Sequence, residues 1–123
     1  MKRVYLAGPP FADEYRTRAS ALVTAAGMEP VDPMRRDFRG GTVGHETEIV
    51  EGDLADIDSC EVVLAAFTAP DEGTAMEAWY ALSRGIPVVG YTGGTPAHPW
   101  AVFVTRSLHP TLEDAVDGLE ALT

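Results

Sequence analysis

A chain of 123 residues, 46% apolar and 23% charged, is one domain's length and carries enough apolar side chains for one buried core. Its 19 acidic against 9 basic residues give a formal net charge of −10, which repels a phosphate backbone and argues against nucleic acid as a partner. No stretch approaches the roughly 18 uninterrupted apolar residues of a membrane span, no apolar leader follows Met1-Lys2-Arg3, and the lone Cys60 excludes an internal disulfide or a cysteine-built zinc cluster, so the chain reads as cytoplasmic.

In chain order, RVYLAG at 3–8 predicts a first strand, and 12–26 a helix with Ala19, Leu22, Val23 and Ala26 on one face, stopped at Gly27. GMEPVDP predicts a short second strand, and MRRDFRGGTVG at 34–44 a Gly- and Arg-rich loop without apolar period. A helix follows over 45–59 with Ile49, Leu54 and Ile57 near one face, then EVVLAAF reads as a fully buried strand. The remaining pattern predicts a helix over 73–84 ended by Gly85, a strand at IPVVGY, a fifth strand at AVFVT and a terminal helix within HPTLEDAVDGLEAL.

Strands that read as continuous apolar runs and alternate with helices imply an α/β fold, a parallel sheet covered on both faces, in one domain over 1–123. Right-handed crossovers favour a doubly wound, five-stranded Rossmann- or flavodoxin-like order 2-1-3-4-5, whose ligand crevice lies at the carboxyl ends of the strands. Three tips converge there: Gly8-Pro9-Pro10-Phe11, the stretch 68–73, and Thr92-Gly93-Gly94.

The residues on those tips carry the chemistry. In DEGTAME, Gly73 and Thr74 are expected to open the helix, with Glu77 about one turn in, near free backbone N–H groups and against apolar neighbours. A partly desolvated carboxylate there can stabilise or attack positive charge; a plain reading makes the same acids helix caps. Asp53 in VEGDLADID lies close enough to the inner helix edge to turn toward the cleft, whereas Asp56 and Asp58 read as a solvated face and a helix end. Tyr5 is either a core aromatic or a phenol that steadies a catalytic carboxylate. The three histidines fall in no metal-ligand spacing.

YLAGPPF at 5–11, GDLADID at 52–58 and PDEGTAMEAWYALSRGIPVVGY at 70–91 together resemble the nucleoside 2-deoxyribosyltransferase family, which also includes nucleotide N-glycoside hydrolases. The resemblance covers about 3–91 and weakens beyond. It implies Glu77 as nucleophile, Asp71 as the aspartate that assists the departing base, Asp53 as the aspartate of the preceding helix and Tyr5 as the strand-one tyrosine. Gly8, Pro9 and Phe11 would line the base pocket, with Gly73 at the substrate-binding mouth of the helix. The implied reaction needs no metal or cofactor, and the chain has neither a Walker loop nor a dinucleotide fingerprint.

Two departures stand out. The family's transferases commonly take a side-chain amide from a neighbouring subunit to hold the sugar's 5′-hydroxyl, and GGTPAHPWAVF has no Asn or Gln, so His98 or Trp100 would substitute. The hydrolases' Ser- and Arg-containing loop is absent from Gly8-Pro9-Pro10-Phe11, which favours a nucleoside over a nucleotide, though Arg35, Arg36 and Arg39 could reach a phosphate from the long loop. Consecutive Trp79 and Tyr80 cannot both face one core, and the apolar 98–103 segment lacks a partner in so small a domain; a homodimer or larger assembly of dimers is expected.

Overall fold

The computed structural model describes residues 1–122. Five parallel strands form one sheet in the order β2-β1-β3-β4-β5, as the sequence predicts. They are β1 (Arg3–Ala7), β2 (Glu29–Val31), β3 (Val62–Ala66), β4 (Val88–Tyr91) and β5 (Ser107–His109), and the helices are α1 (Asp13–Ala25), α2 (Glu46–Asp58), α3 (Glu72–Ser83), α4 (Pro99–Val104) and α5 (Leu112–Glu120). A single 3₁₀ turn, Pro33–Arg35, starts the long loop after β2, with the Asp32 carboxylate accepting from Met34 N at its head.

The strands run in register, Val4 beside Val62 and Val63 beside Val88, and alternate side chains feed two cores. Val4, Leu6, Leu64 and Val89 pack with Tyr15, Ala19 and Val23 of α1 and with Leu112, Val116 and Leu119 of α5. Tyr5, Ala7, Val63, Ala65 and Val88 point to the other face, against Ile57 of α2, Ala78 and Ala81 of α3 and Val104 of α4. Burial on both faces explains why these strands are apolar without alternation. It also settles Tyr5: an odd position on β1 aims the ring at the layer that carries α2 and α3.

Both sheet edges are short. β2 places Pro30 opposite Val4, and because the neighbouring Glu29 N donates inward to Lys2 O, Pro30 turns its N–H-less side outward.

One predicted element is wrong. AVFVT is not the fifth strand; it lies in and just after α4, and β5 is supplied by Ser107–His109 three residues on, paired with β4 from Val89 to Tyr91. Pro99 at the first helical position and His98 as its cap, Nδ1 accepting from Trp100 N at 3.2 Å, start a helix where the apolar run alone reads as a strand. With Ala101 and Val104 buried and Trp100, Val102 and Phe103 outside, the run is an amphipathic helical turn whose period five residues are too few to reveal.

Candidate active site

Tyr5 is wholly buried, and its hydroxyl donates to Glu77 Oε2. Tyr5 is thus a core aromatic whose polar end is bonded to a carboxyl. The β1 strand fixes the ring and α3 brings the acid down on it, with Ala78 and Ala81 beside Glu77 giving the close helix-to-sheet approach.

Helix α3 opens earlier than expected. Asp71 is its cap, with Oδ2 accepting from both Thr74 N at 2.9 Å and Thr74 Oγ1 at 2.7 Å, so the first turn is 72–75 and Glu77 lies in the second, past the free N–H groups. Glu77 is thus not held ionised by the helix start. Burial pushes its carboxyl up to about 8; the Tyr5 hydroxyl and the charge of Arg16 pull down, while Asp53 and Asp71 push up. Tyr5 in turn is driven well above the ordinary phenol range by burial and by Glu77, so it stays a donor.

Asp53 is partly buried and bound by Arg36. Burial raises its carboxyl, Arg36 lowers it and Asp56 raises it, and its charge is felt at both Tyr5 and Glu77. Arg36 Nη2 holds Asp53 Oδ1 at 3.3 Å and Asp56 Oδ2 at 2.8 Å, and Arg35 takes Asp56 Oδ1 at 2.8 Å. Asp56 is accordingly an ion-paired, mostly covered acid and not the solvated one its spacing suggested. Gly52 makes room for this: a Cβ there would sit 3.0 Å from the Arg36 guanidinium. Asp58 is the helix-end residue expected, accepting from Tyr80 Oη and Arg84 Nε.

The tip after β1 is held from below. Gly8 has no space for a side chain, since a Cβ would meet Tyr15 Cε2 at 2.8 Å. Tyr15 Oη donates to Ala7 O and Leu64 O at 3.0 and 3.2 Å, tying the ends of β1 and β3, and Arg16 donates to Gly8 O and Pro9 O. Phe11 projects from this tip almost fully exposed, and Gly73 stands exposed at the mouth of α3. The third tip closes beside the second: Gly93, at φ +63°, lies against Thr68.

His98 and Trp100 do not join the acids. They line an apolar groove of about 800 Å³ between α3 and α4, with Phe67, Met76, Trp79 and Asp71; of the four reactive candidates only Asp71 borders it. Trp79 meets Trp100 edge-on at 5.8 Å and stacks on Phe103 at 6.3 Å, and all three are substantially exposed. Trp100 therefore does not cap its own sheet edge. Arg16, Tyr15 and Arg36 are the site-shaping residues that sequence reasoning missed; the one available signal was a cation in the first turns of α1, where the helix dipole disfavours it.

Among the described residues no cluster of three His, Cys, Asp or Glu is arranged to hold a metal, and no helix is long and apolar enough to cross a membrane. Fold and crevice together define a doubly wound α/β protein with a phenol-bonded carboxyl at its strand ends. Residues 4–110 match the model of the nucleoside 2-deoxyribosyltransferase family, and the chain belongs to that family. A 2-deoxyribosyltransferase from the psychrotolerant bacterium Bacillus psychrosaccharolyticus has the same fold, with a TM-score of 0.80 at 20% identity over 94% of this chain and 90% of that one. A conserved protein from Enterococcus faecalis V583 gives 0.80 at 16% identity over 100% and 99%. No curated protein matches the chain.

Proposed function

We propose that this chain, acting as a single domain, cleaves the N-glycosidic bond of 2′-deoxynucleosides and passes the sugar to another nucleobase or to water. The observation that carries the reading is the Tyr5–Glu77 pair, a half-buried carboxyl bonded to a phenol at the crevice where three tips meet. Ionised Glu77 attacks C1′ as the C1′–N bond breaks, the bonding pair leaves on the base nitrogen, and an ester forms between Glu77 and the sugar. A carboxyl of Asp71 or Asp53 delivers the proton that the departing base takes up. In the second half an incoming base nitrogen, or water, attacks C1′, the ester bond breaks to return the Glu77 carboxylate, and the same acid accepts the nucleophile's proton. Two inversions give retention. Asp71 has Oδ2 committed to Thr74, which leaves Oδ1 for this traffic; the raised Asp53 carboxyl is suited to holding a proton. Tyr5 orients Glu77 and disperses its charge, and Gly8, Pro9, Phe11 and Gly73 border the base.

The arginine loop lends no support to a 5′-monophosphate hydrolase: Arg35 and Arg36 are bound to Asp56 and Asp53, and Arg39 to Asp13 and Asp37. A non-catalytic nucleotide sensor would have no need of the Tyr5–Glu77 bond. Incubation with deoxyinosine and free adenine, and separately with each deoxynucleoside monophosphate, tests the reading. Base exchange supports it, hydrolysis confined to monophosphates replaces it with the hydrolase, and no turnover on any of them removes catalysis.

We further propose that a second copy covers the groove between α3 and α4, placing His98 or Trp100 beside the partner's site. Two chains of net charge −10 repel each other wherever charged surfaces meet, and α4, PWAVFV, carries no charge at all. Exposed Met76, Trp79, Trp100, Val102 and Phe103 make this the face on which contact between copies is favourable.

A further inference from the structure

Arg16 is the most thoroughly buried cation in the structure described, 4% exposed, and neither the family reading nor the groove uses it. It sits at the end of the first turn of α1, behind the β1 tip. Its Nη1 donates to Pro9 O and its Nη2 to Gly8 O, both at 2.6 Å, while Nε has no hydrogen bond and faces Asp32 Oδ1 at 3.5 Å. Burying a guanidinium is costly unless its charge and its fork are both used, and one carboxylate at that distance compensates it poorly. The fork explains the two carbonyls: two consecutive oxygens of a turn diverge, and a planar group with parallel N–H bonds spans them where an ammonium reaches one. The charge has its own counterpart. The Tyr5 hydroxyl of β1 donates to Glu77 on α3, the charges of Asp53 on α2, itself held by Arg36, and of Asp71 at the head of α3 are felt at Glu77, and Arg16 from α1 is the cation whose field reaches it.

We propose that Arg16 is a positioning residue for the reaction centre: its fork sets the Gly8–Pro9 tip that borders the base, and its buried charge offsets the acids gathered around Glu77. The inference rests on the reading of Glu77 as nucleophile, but its first test is independent of turnover. Arg16→Met removes charge and fork; Arg16→Lys keeps the charge and loses the fork. Carboxyl ¹³C titration of Glu77 should show its midpoint moved up by roughly half a unit or more in R16M, by loss of a favourable charge, and unmoved in R16K. Amide exchange at the β1 tip should quicken in both. In steady state, both should raise KM for deoxyinosine by about tenfold, and only R16M should move the acid limb of kcat/KM to higher pH.

A folded R16M with Glu77 titrating as in the parent overturns the charge role, and an R16K with parent-like tip exchange and KM overturns the fork role. If R16M does not fold, R16K decides: a Glu77 midpoint displaced upward despite the retained charge, or an undisturbed tip, sinks the proposal. A parent protein without turnover would defeat the proposed function while the titration and exchange still judge Arg16.

Discussion

The two sides of α3 are opposites. On one side Glu77 leans on a buried phenol amid Asp53, Asp71 and Arg16; on the other, two residues on, Trp79 faces Trp100 and Phe103 across a groove with almost no charge. A single helix thus presents a crowded electrostatic environment and an unsatisfied apolar one, at positions two residues and so roughly half a turn apart. The lesson is that exposure and burial are both out of place here. A carboxyl is covered that would be cheaper in water, and indoles are wet that would be cheaper in a core, which marks both faces for work other than stability.

Separating the two faces by mutation sharpens the contrast. The largest effect is expected from Glu77→Ala, which should lower kcat by at least a hundredfold while circular dichroism stays native, because Ala is a good helix former. A 2-fluoro-arabinosyl nucleoside should add one sugar mass to the Glu77 peptide of the parent, and none to the variant. On the other face, Trp100→Glu should turn any dimer into monomer by light scattering with little change in protomer Tm, since Trp100 is mostly exposed; an unchanged mass removes the groove from assembly.

Asp71 caps α3 and borders the groove, and different substitutions divide that capping from the proton transfer proposed for it. Asp71→Asn keeps a good cap and loses the proton, so kcat should fall by about tenfold or more, most for poor leaving groups. Asp71→Ala should add about 1 kcal/mol of destabilisation by urea unfolding through loss of the bonds to Thr74. Equal losses over a leaving-group series would leave only the cap.

Glu77 also makes stability fall with pH. Its folded carboxyl titrates at about 8, above the ordinary 4.5, so the folded state binds the extra proton between those values and stability is lost as pH rises through that window. Glu77→Gln should abolish that slope, and its advantage over the parent should grow by on the order of a few kcal/mol from about pH 5 to about pH 9. Because attack needs the ionised form, kcat/KM should rise toward a limb near about 8 over the same range. The smallest effect belongs to Phe11→Ala, which should raise KM by a few-fold at the base pocket and shift stability by less than about 0.5 kcal/mol, as an exposed residue should.

The sheet order and every helix but α4 were legible because each rests on a repeating signal, and Tyr5 and Glu77 were singled out separately by the motifs that hold them. Continuous apolar strands announced a doubly covered sheet, but which layer Tyr5 faces waited for the register of β1. What was not legible has specific causes. α4 is too short to declare its period, so Ala101-Val102-Phe103-Val104 read as a strand until Pro99 and His98 are weighed as helix starters. The start of α3 depended on the Asp71 cap, two residues before the Gly-Thr pair that suggested it. Arg16, Arg36 and Asp56 act through partners at sequence separations of 7 to 21, and no local pattern reports such pairings.

The two outer strands of the sheet have a consequence for how this protein meets itself. β2 offers a stranger only Pro30, which cannot donate, and β5 offers three residues before the chain turns away at Pro110 into α5. Both give another chain's backbone little to pair with. Short edges of this kind disfavour ribbon-like growth from sheet to sheet in a crowded solution, and would leave the self-association proposed above to side chains, whose contacts are specific and saturable.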